Sequence, residues 1–196
     1  MAERIITIER TTHETQITLT LNLDGQGRFT IDTGSGFFDH MLNHLARHSL
    51  FNLTLKAAGD LHVDAHHTVE DVAICLGEAL AQALGEKKGI GRFGWAAVPM
   101  EDSLAQVAVD LGGRPYCVYN VKYRTGKIGD FDVELVAEFL RTFANNAKIN
   151  LHVNVPYGSN NHHLAEAIFK ALGLALAQAV ALNSRCPDIP STKGIL

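Results

Sequence analysis

This chain has no excess of basic residues. Its 17 lysines and arginines stand against 21 acidic residues, giving a net charge of −4 and a pI near 6.2. No cationic stripe follows any segment, which argues against a nucleic-acid partner. Long apolar runs are missing too. Charge or histidine interrupts each one short of the roughly 20 residues that a membrane span needs, so no membrane partner is expected. Met1-Ala2-Glu3-Arg4 lacks the apolar run of a secretory signal. Cysteine is scarce: Cys75, Cys117 and Cys186 are odd in number and scattered. That is no disulfide framework and points to a reducing cytoplasm. Cys75 falls on an apolar helical stretch and reads as a core residue. No long linker divides the 196 residues, of which 46% are hydrophobic. They suffice for a sizeable core, as one domain or two fused small halves.

Histidine, by contrast, is abundant, with ten copies. Two stretches repeat one motif: His66-His67-Thr68-Val69-Glu70 and His162-His163-Leu164-Ala165-Glu166. The offset is 162 − 66 = 96, and residues 66–83 agree with 162–179 at 10 of 18 positions. Histidines and glutamates matched in register indicate one ancestral half, duplicated. Each motif runs on into apolar residues at helical spacing, so it sits in the first turn of a helix. There, residues three and four apart share a face. Glu70 can lie beside His66 or His67, and Glu166 beside His162 or His163. Two neutral imidazoles and a carboxylate on one turn are a set of metal ligands. Adjacent histidines diverge by roughly 100° around a helix, so each can feed a different metal. The plainer alternative is a polar helix start with its glutamate favoured by the macrodipole; finding it twice in register weakens that alternative.

In chain order, Ile5–Ile8 and Thr15–Leu23 alternate as half-buried strands. Asp24-Gly25-Gln26-Gly27 reads as a turn, with Arg28–Ile31 returning as the hairpin partner. A helix follows from about Phe37 to His48, then a strand over Phe51–Lys56 and the first motif helix to about Gly85. The second half repeats this order. Strands near Phe93–Val98, Leu104–Val109 and Tyr116–Tyr123 precede a helix over Asp132–Ala147, a strand over Ile149–Val155 and the second motif helix. The expected class is α+β: duplicated two-layer halves with helices on one face of a mostly antiparallel sheet. The halves are placed at residues 1–88 and 89–183, with an irregular tail at 184–196 containing Pro187 and Pro190.

Duplication locates one more candidate pair. The segment between strand and motif is two residues longer in the first half, so upstream the offset becomes 98, and His40 then matches Glu138. His40, His44 and His48 form one stripe on their helix. His44 reads as a packing or surface residue rather than a ligand. His62 and His152 have no counterpart and read as ordinary polar residues, as do the carboxylates Glu101 and Asp102.

Several stretches together resemble the imidazoleglycerol-phosphate dehydratases of histidine biosynthesis. They are Arg10-Thr11-x-x-Glu14-Thr15, Phe38-Asp39-His40-Met41-Leu42, Ala65–Asp71, Asn161–Ala167 and Ser191-Thr192-Lys193-Gly194. The resemblance spans nearly the whole chain. It implies a duplicated ribosomal-protein S5 domain 2-like fold with a left-handed β-α-β crossover. It implies two manganese ions per active site and a shell of 24 subunits with sites between them. The implied metal ligands are His40, His66, His67, Glu70, Glu138, His162, His163 and Glu166; many relatives carry histidine where this chain has Glu138. Glu14 takes the acid–base role, with Glu70 and Glu166 the other catalytic carboxylates. Arg92, Arg114, Ser191 and Lys193 lie near the substrate phosphate and His48 contacts the substrate. With 13 residues before Glu14, the single-activity form is expected rather than a fusion to a phosphatase.

The residue types suit that chemistry. The substrate carries an imidazole, a two-hydroxyl chain and a phosphate, and no carbonyl activates the departing groups. Cations at both ring nitrogens favour loss of the ring proton. The anionic ring can then expel hydroxide from the adjacent carbon, and loss of a proton from the next carbon gives an enol and then a ketone. Arginine supplies a bidentate fork and lysine a point charge for the phosphate. Two other readings compete. A two-metal hydrolase would release phosphate. A metal-binding shell without activity would tolerate loss of Glu14 and Arg114.

Overall fold

The computed structural model describes residues 3–196. The first half runs β1 (Ile5–Thr11), β2 (Thr15–Asn22), β3 (Phe29–Asp32), α1 (Gly36–Ser49), β4 (Asn52–Gly59) and α2 (His66–Leu84). The second runs β5 (Phe93–Met100), β6 (Ser103–Asp110), β7 (Tyr116–Asn120), a small ribbon of β8 (Lys127–Ile128) and β9 (Phe131–Asp132), α3 (Glu134–Ala147), β10 (Asn150–Tyr157) and α4 (Asn161–Val180). The sheet orders are β1-β2-β4-β3 and β5-β6-β10-β7. In each sheet the fourth strand pairs in parallel and the other contacts are antiparallel. The α+β class and its duplication therefore hold at the level of topology.

One local expectation fails. The strand after the Gly25–Gly27 turn does not return as a hairpin partner of β2. β3 pairs in parallel with β4, Phe29 opposite Leu53 through Asp32 opposite Lys56, and β4 takes the edge of β2 along its whole length. Burial explains the choice. β4 offers Leu53, Leu55 and Ala57 on the face where β2 buries Ile17, Leu19 and Leu21. β3 has four residues and no fully buried one, which suits an edge position. The β8–β9 ribbon is too short for any periodicity to announce it.

The helices pack across the halves: α1 lies along α4, and α2 along α3. Each crossing depends on a glycine. A Cβ at Gly77 would meet Asn146 Cβ, Ala147 N and Phe143 O at 2.8–2.9 Å; a Cβ at Gly173 would meet His48 Cβ, Leu45 O and Ser49 N at 2.9–3.0 Å. These contacts are the same under the two offsets: 77 + 96 = 173, and 45, 48 and 49 plus 98 give 143, 146 and 147. Helix register thus supports aligning His40 with Glu138. In the core, Phe139 stacks on Phe143 at 6.0 Å, meets Phe169 in a tilted contact at 5.2 Å and meets Phe38 edge-on at 5.6 Å, and all four rings are fully buried in one continuous core. Cys75 is buried in that core, as expected. α4 alone among the described helices is long and apolar enough to cross a membrane, but 72% of that stretch is buried inside the fold.

Candidate metal centre and substrate site

Both motifs open a helix. The Asn160 carboxamide oxygen caps α4, accepting from the N–H of His162 at 2.9 Å, and Asp64 accepts from the N–H of His66 at 2.7 Å. Caps of this kind satisfy orphan donors of the first turn and fix where the following side chains point. Glu166, one turn on, is buried. Its Oε2 lies 3.0 Å from His162 Nε2 and 3.3 Å from His40 Nε2. The three donor atoms lie within 4.8 Å of one another. Two imidazole nitrogens and a carboxylate oxygen converging from α1 and α4 fit a divalent transition metal by donor type.

The other oxygen of Glu166 faces different neighbours. Lys170 Nζ donates to Oε1 at 2.6 Å and His44 Nε2 lies 3.3 Å away. Burial opposes charge on Glu166, but the Lys170 ammonium and the neighbouring histidines hold its carboxyl down at about 2. Burial pushes His44 down to about 4, so its ring is neutral, and its buried Nε2 makes no hydrogen bond. The ring packs between those of His40, at 4.5 Å, and His48, at 6.0 Å. Lys170 escaped the sequence reading, although its spacing of four from Glu166 on one helix face was a usable signal.

The adjacent histidines diverge as expected. His162 turns to Glu166, while His163 Nδ1 meets Asp102 Oδ1 at 2.7 Å. Asp102 is therefore not a free surface carboxylate. It follows Glu101 in the β5–β6 turn, and its other oxygen accepts from Ser159 N, Ser159 Oγ and Asn160 N, which holds its carboxyl below the usual range together with His163. In the first half His67 Nδ1 meets Asp60 at 3.0 Å, and that hydrogen bond lifts His67 and lowers Asp60. His67 Nε2 points toward Glu14 Oε1 at 3.7 Å. Glu14 is held in its turn by Thr12 Oγ1, which accepts its N–H at 3.1 Å. Neighbouring Thr15 donates to Asp71, which Arg10 also grips at 2.8–2.9 Å.

His66, Glu70 and Glu138 are half-buried and do not join the triad. Under the same two offsets, His40 and Glu166 match Glu138 on α3 and Glu70 on α2, since 40 + 98 = 138 and 166 − 96 = 70. Glu138 accepts from Thr142 Oγ1 at 2.9 Å. His62 is exposed, and His152 sits on the outer face of the second sheet. Beside the triad opens a cleft of about 870 Å³ bordered by Phe37, Val63, Lys127 and Phe131.

Of the residues expected at a phosphate, Arg92 lies beside the C-terminal tail. Arg92 ion-pairs with Asp110 at 2.7 Å and donates to Pro190 O at 2.9 Å, which ties the Ser191–Lys193 tail to it. Arg114 is exposed, and its carbonyl accepts from Asn150. Arg92 N donates to Ala179 O on α4. Ala179 lies 179 − 162 = 17 residues from His162 on α4, so at 1.5 Å per residue the backbones of His162 and Arg92 are separated by about 25 Å along that helix. His48 lies between them, against Gly173.

The model of the imidazoleglycerol-phosphate dehydratase family matches residues 33–176. The chain belongs to this family. A relative from Pelobacter propionicus bearing that name is 55% identical over 193 residues, covering 98% of this chain and 99% of its own. One from Geobacter sulfurreducens is 56% identical, with the same coverage. The crystal structure of the Staphylococcus aureus dehydratase superposes with a TM-score of 0.84 at 38% identity, over 91% of this chain and 99% of that one. That of the Pyrococcus furiosus enzyme, in complex with (S)-C348, gives 0.84 at 35%, over 96% and 100%. Members of the family are hydro-lyases of histidine biosynthesis that act on a small phosphorylated substrate and depend on metal. The His40–His162–Glu166 group supplies donors of the kind such an enzyme needs.

Proposed function

We propose that this protein dehydrates imidazole glycerol phosphate to imidazole acetol phosphate using two manganese ions per active site. The convergence of His40, His162 and Glu166 on a motif that the chain carries twice is the observation behind it. One ligand group contains these three residues. The duplication supports a second, drawn from His66, His67, Glu70, Glu138 and His163. Imidazole and carboxylate donors with open positions suit manganese. Bound there, the metals would withdraw electron density from the substrate ring and stabilise its anionic form. Glu14, exposed beside His67, is the proton-transfer group, with Glu70 and Glu166 serving as charged ligands. Arg92, Arg114, Ser191 and Lys193 bind the phosphate, and His48 contacts the chain between ring and phosphate.

The separation of about 25 Å along α4 between the backbones of His162 and Arg92 supports a site shared between copies, because a small substrate does not span that helix within one chain. Exposed Phe93, Trp95 and Tyr116 on the outer face of the second sheet, 60–69% accessible, are a surface that self-assembly would cover. The resemblance extends this to a 24-subunit shell in the cytoplasm, composed of the halves 1–88 and 89–183 with the 184–196 tail at the substrate site. Incubation with imidazole glycerol phosphate and manganese should yield a ketone that keeps its phosphate. Chelation should abolish this and shrink the particle. Release of inorganic phosphate instead would favour a two-metal hydrolase.

A further inference from the structure

The duplicated histidines are supported in ways that the duplication does not explain. His163 Nδ1 is held by Asp102, 61 residues earlier in the β5–β6 turn. His67 Nδ1 is held by Asp60, 7 residues earlier after β4. The two aspartates occupy different elements and share no motif. Each reaches the same ring nitrogen. A carboxylate only accepts, so the imidazole must keep its proton on Nδ1, which leaves the Nε2 lone pair free.

Asp102 is itself fixed. Its Oδ2 accepts from Ser159 N and Ser159 Oγ at 2.5 Å and from Asn160 N at 3.0 Å, locking the β5–β6 turn to the loop that starts α4. Asp60 is fixed through its backbone: its N–H donates to Glu14 O at 3.1 Å and its carbonyl accepts from Val63 N at 2.8 Å. We propose that Asp102 and Asp60 are positioning residues that hold His163 and His67 in the Nδ1–H tautomer, with Nε2 free to bind a metal. This rests on reading those two histidines as metal ligands. It adds that the ring orientation is set before metal arrives, by contacts within one chain. Outer-shell carboxylates of this kind fix the tautomer and raise ligand basicity.

Manganese titration of the metal-stripped chain tests this. Asp102→Asn keeps an oxygen for residues 159 and 160 but turns an N–H toward His163, which forces the proton onto Nε2 or swings the ring away. Its manganese affinity should fall about 10- to 100-fold, with thermal stability in chelator unchanged. Ser159→Ala removes a contact to the same carboxylate without touching the histidine pair and should bind as the parent does. His163→Gln sets the scale for losing the ligand. Parental affinity in Asp102→Asn alongside a weakened His163→Gln overturns the positioning role, as does an equal loss in Ser159→Ala. Parental affinity in His163→Gln overturns the ligand reading itself. A nitrogen NMR spectrum of the parental, metal-stripped chain at alkaline pH decides the matter even if Asp102→Asn does not fold. The proton of His163 is expected on Nδ1, and a proton on Nε2 overturns the proposal.

Discussion

Glu166→Gln is the most informative single change, because one carboxylate serves two neighbours. Its Oε2 meets His40 and His162, and its Oε1 accepts from Lys170. Glutamine keeps the shape but removes the charge. In the metal-stripped chain this leaves the Lys170 ammonium without its counter-ion. Breaking a fully buried ion pair costs about 3–5 kcal/mol. The Glu166 side chain is 7% exposed, but that of Lys170 is 20% exposed and can reach water. About half of the full cost, ~2 kcal/mol, is therefore expected. For a chain of this size that lowers the melting temperature by about 4–8 °C. Thermal unfolding followed by circular dichroism in chelator reads it directly. With manganese present the gap should widen, because a site filled at 100-fold its Kd stabilises by about 2.7 kcal/mol and the variant forfeits part of that. Adding Lys170→Met should recover some of the loss in chelator, since an unpaired buried charge costs more than an apolar side chain. A Glu166→Gln protein that melts within a degree of the parent in chelator, and loads the same manganese, would refute both the buried-pair argument and the ligand assignment.

Glu14→Gln should lower turnover by about 10²–10⁴-fold while manganese content and particle size stay parental, as measured by steady-state kinetics and elemental analysis; a positioned proton-transfer group contributes on that scale. Gly94→Ala should destabilise strongly, because its Cβ would come within 1.9 Å of Ala175 O where β5 lies on α4, and reduced soluble yield or a lower denaturant midpoint would report it. The metal-stripped chain should lose stability in acid through Glu166. Its folded carboxyl sits at about 2 against an ordinary 4.5, so its contribution is complete above the unfolded value and drains away as the pH falls from about 4.5 toward 2. Glu166→Gln should flatten that part of a stability–pH profile, and an unchanged profile would count against the pairing.

Much of this protein was legible in its sequence because the relevant physics is local. Three- and four-residue spacing on a helix face brought Glu166 to His162 and aligned His40 with its stripe. Strand alternation marked which residues of β2 face the core, and matched motifs at one offset announced the duplication. Lys170 was legible by the same spacing. What needed the tertiary structure was every contact made across the chain. Pairing of β3 with β4 rather than β2 depended on how much apolar surface each strand offered, a comparison between distant segments. The crossing of α1 with α4 and α2 with α3 through Gly173 and Gly77 decided that His40 meets the second motif, not the first. Asp102 and Asp60 gave no signal, since hydrogen bonds from a turn to a helix start follow no sequence period. The distance from the metal triad to Arg92 likewise appears only once α4 is laid out at full length. Helix and strand periods are set by backbone geometry within a few residues, whereas strand partners, helix crossings and carboxylate–histidine pairs are chosen by burial and charge between residues that only the folded chain brings together.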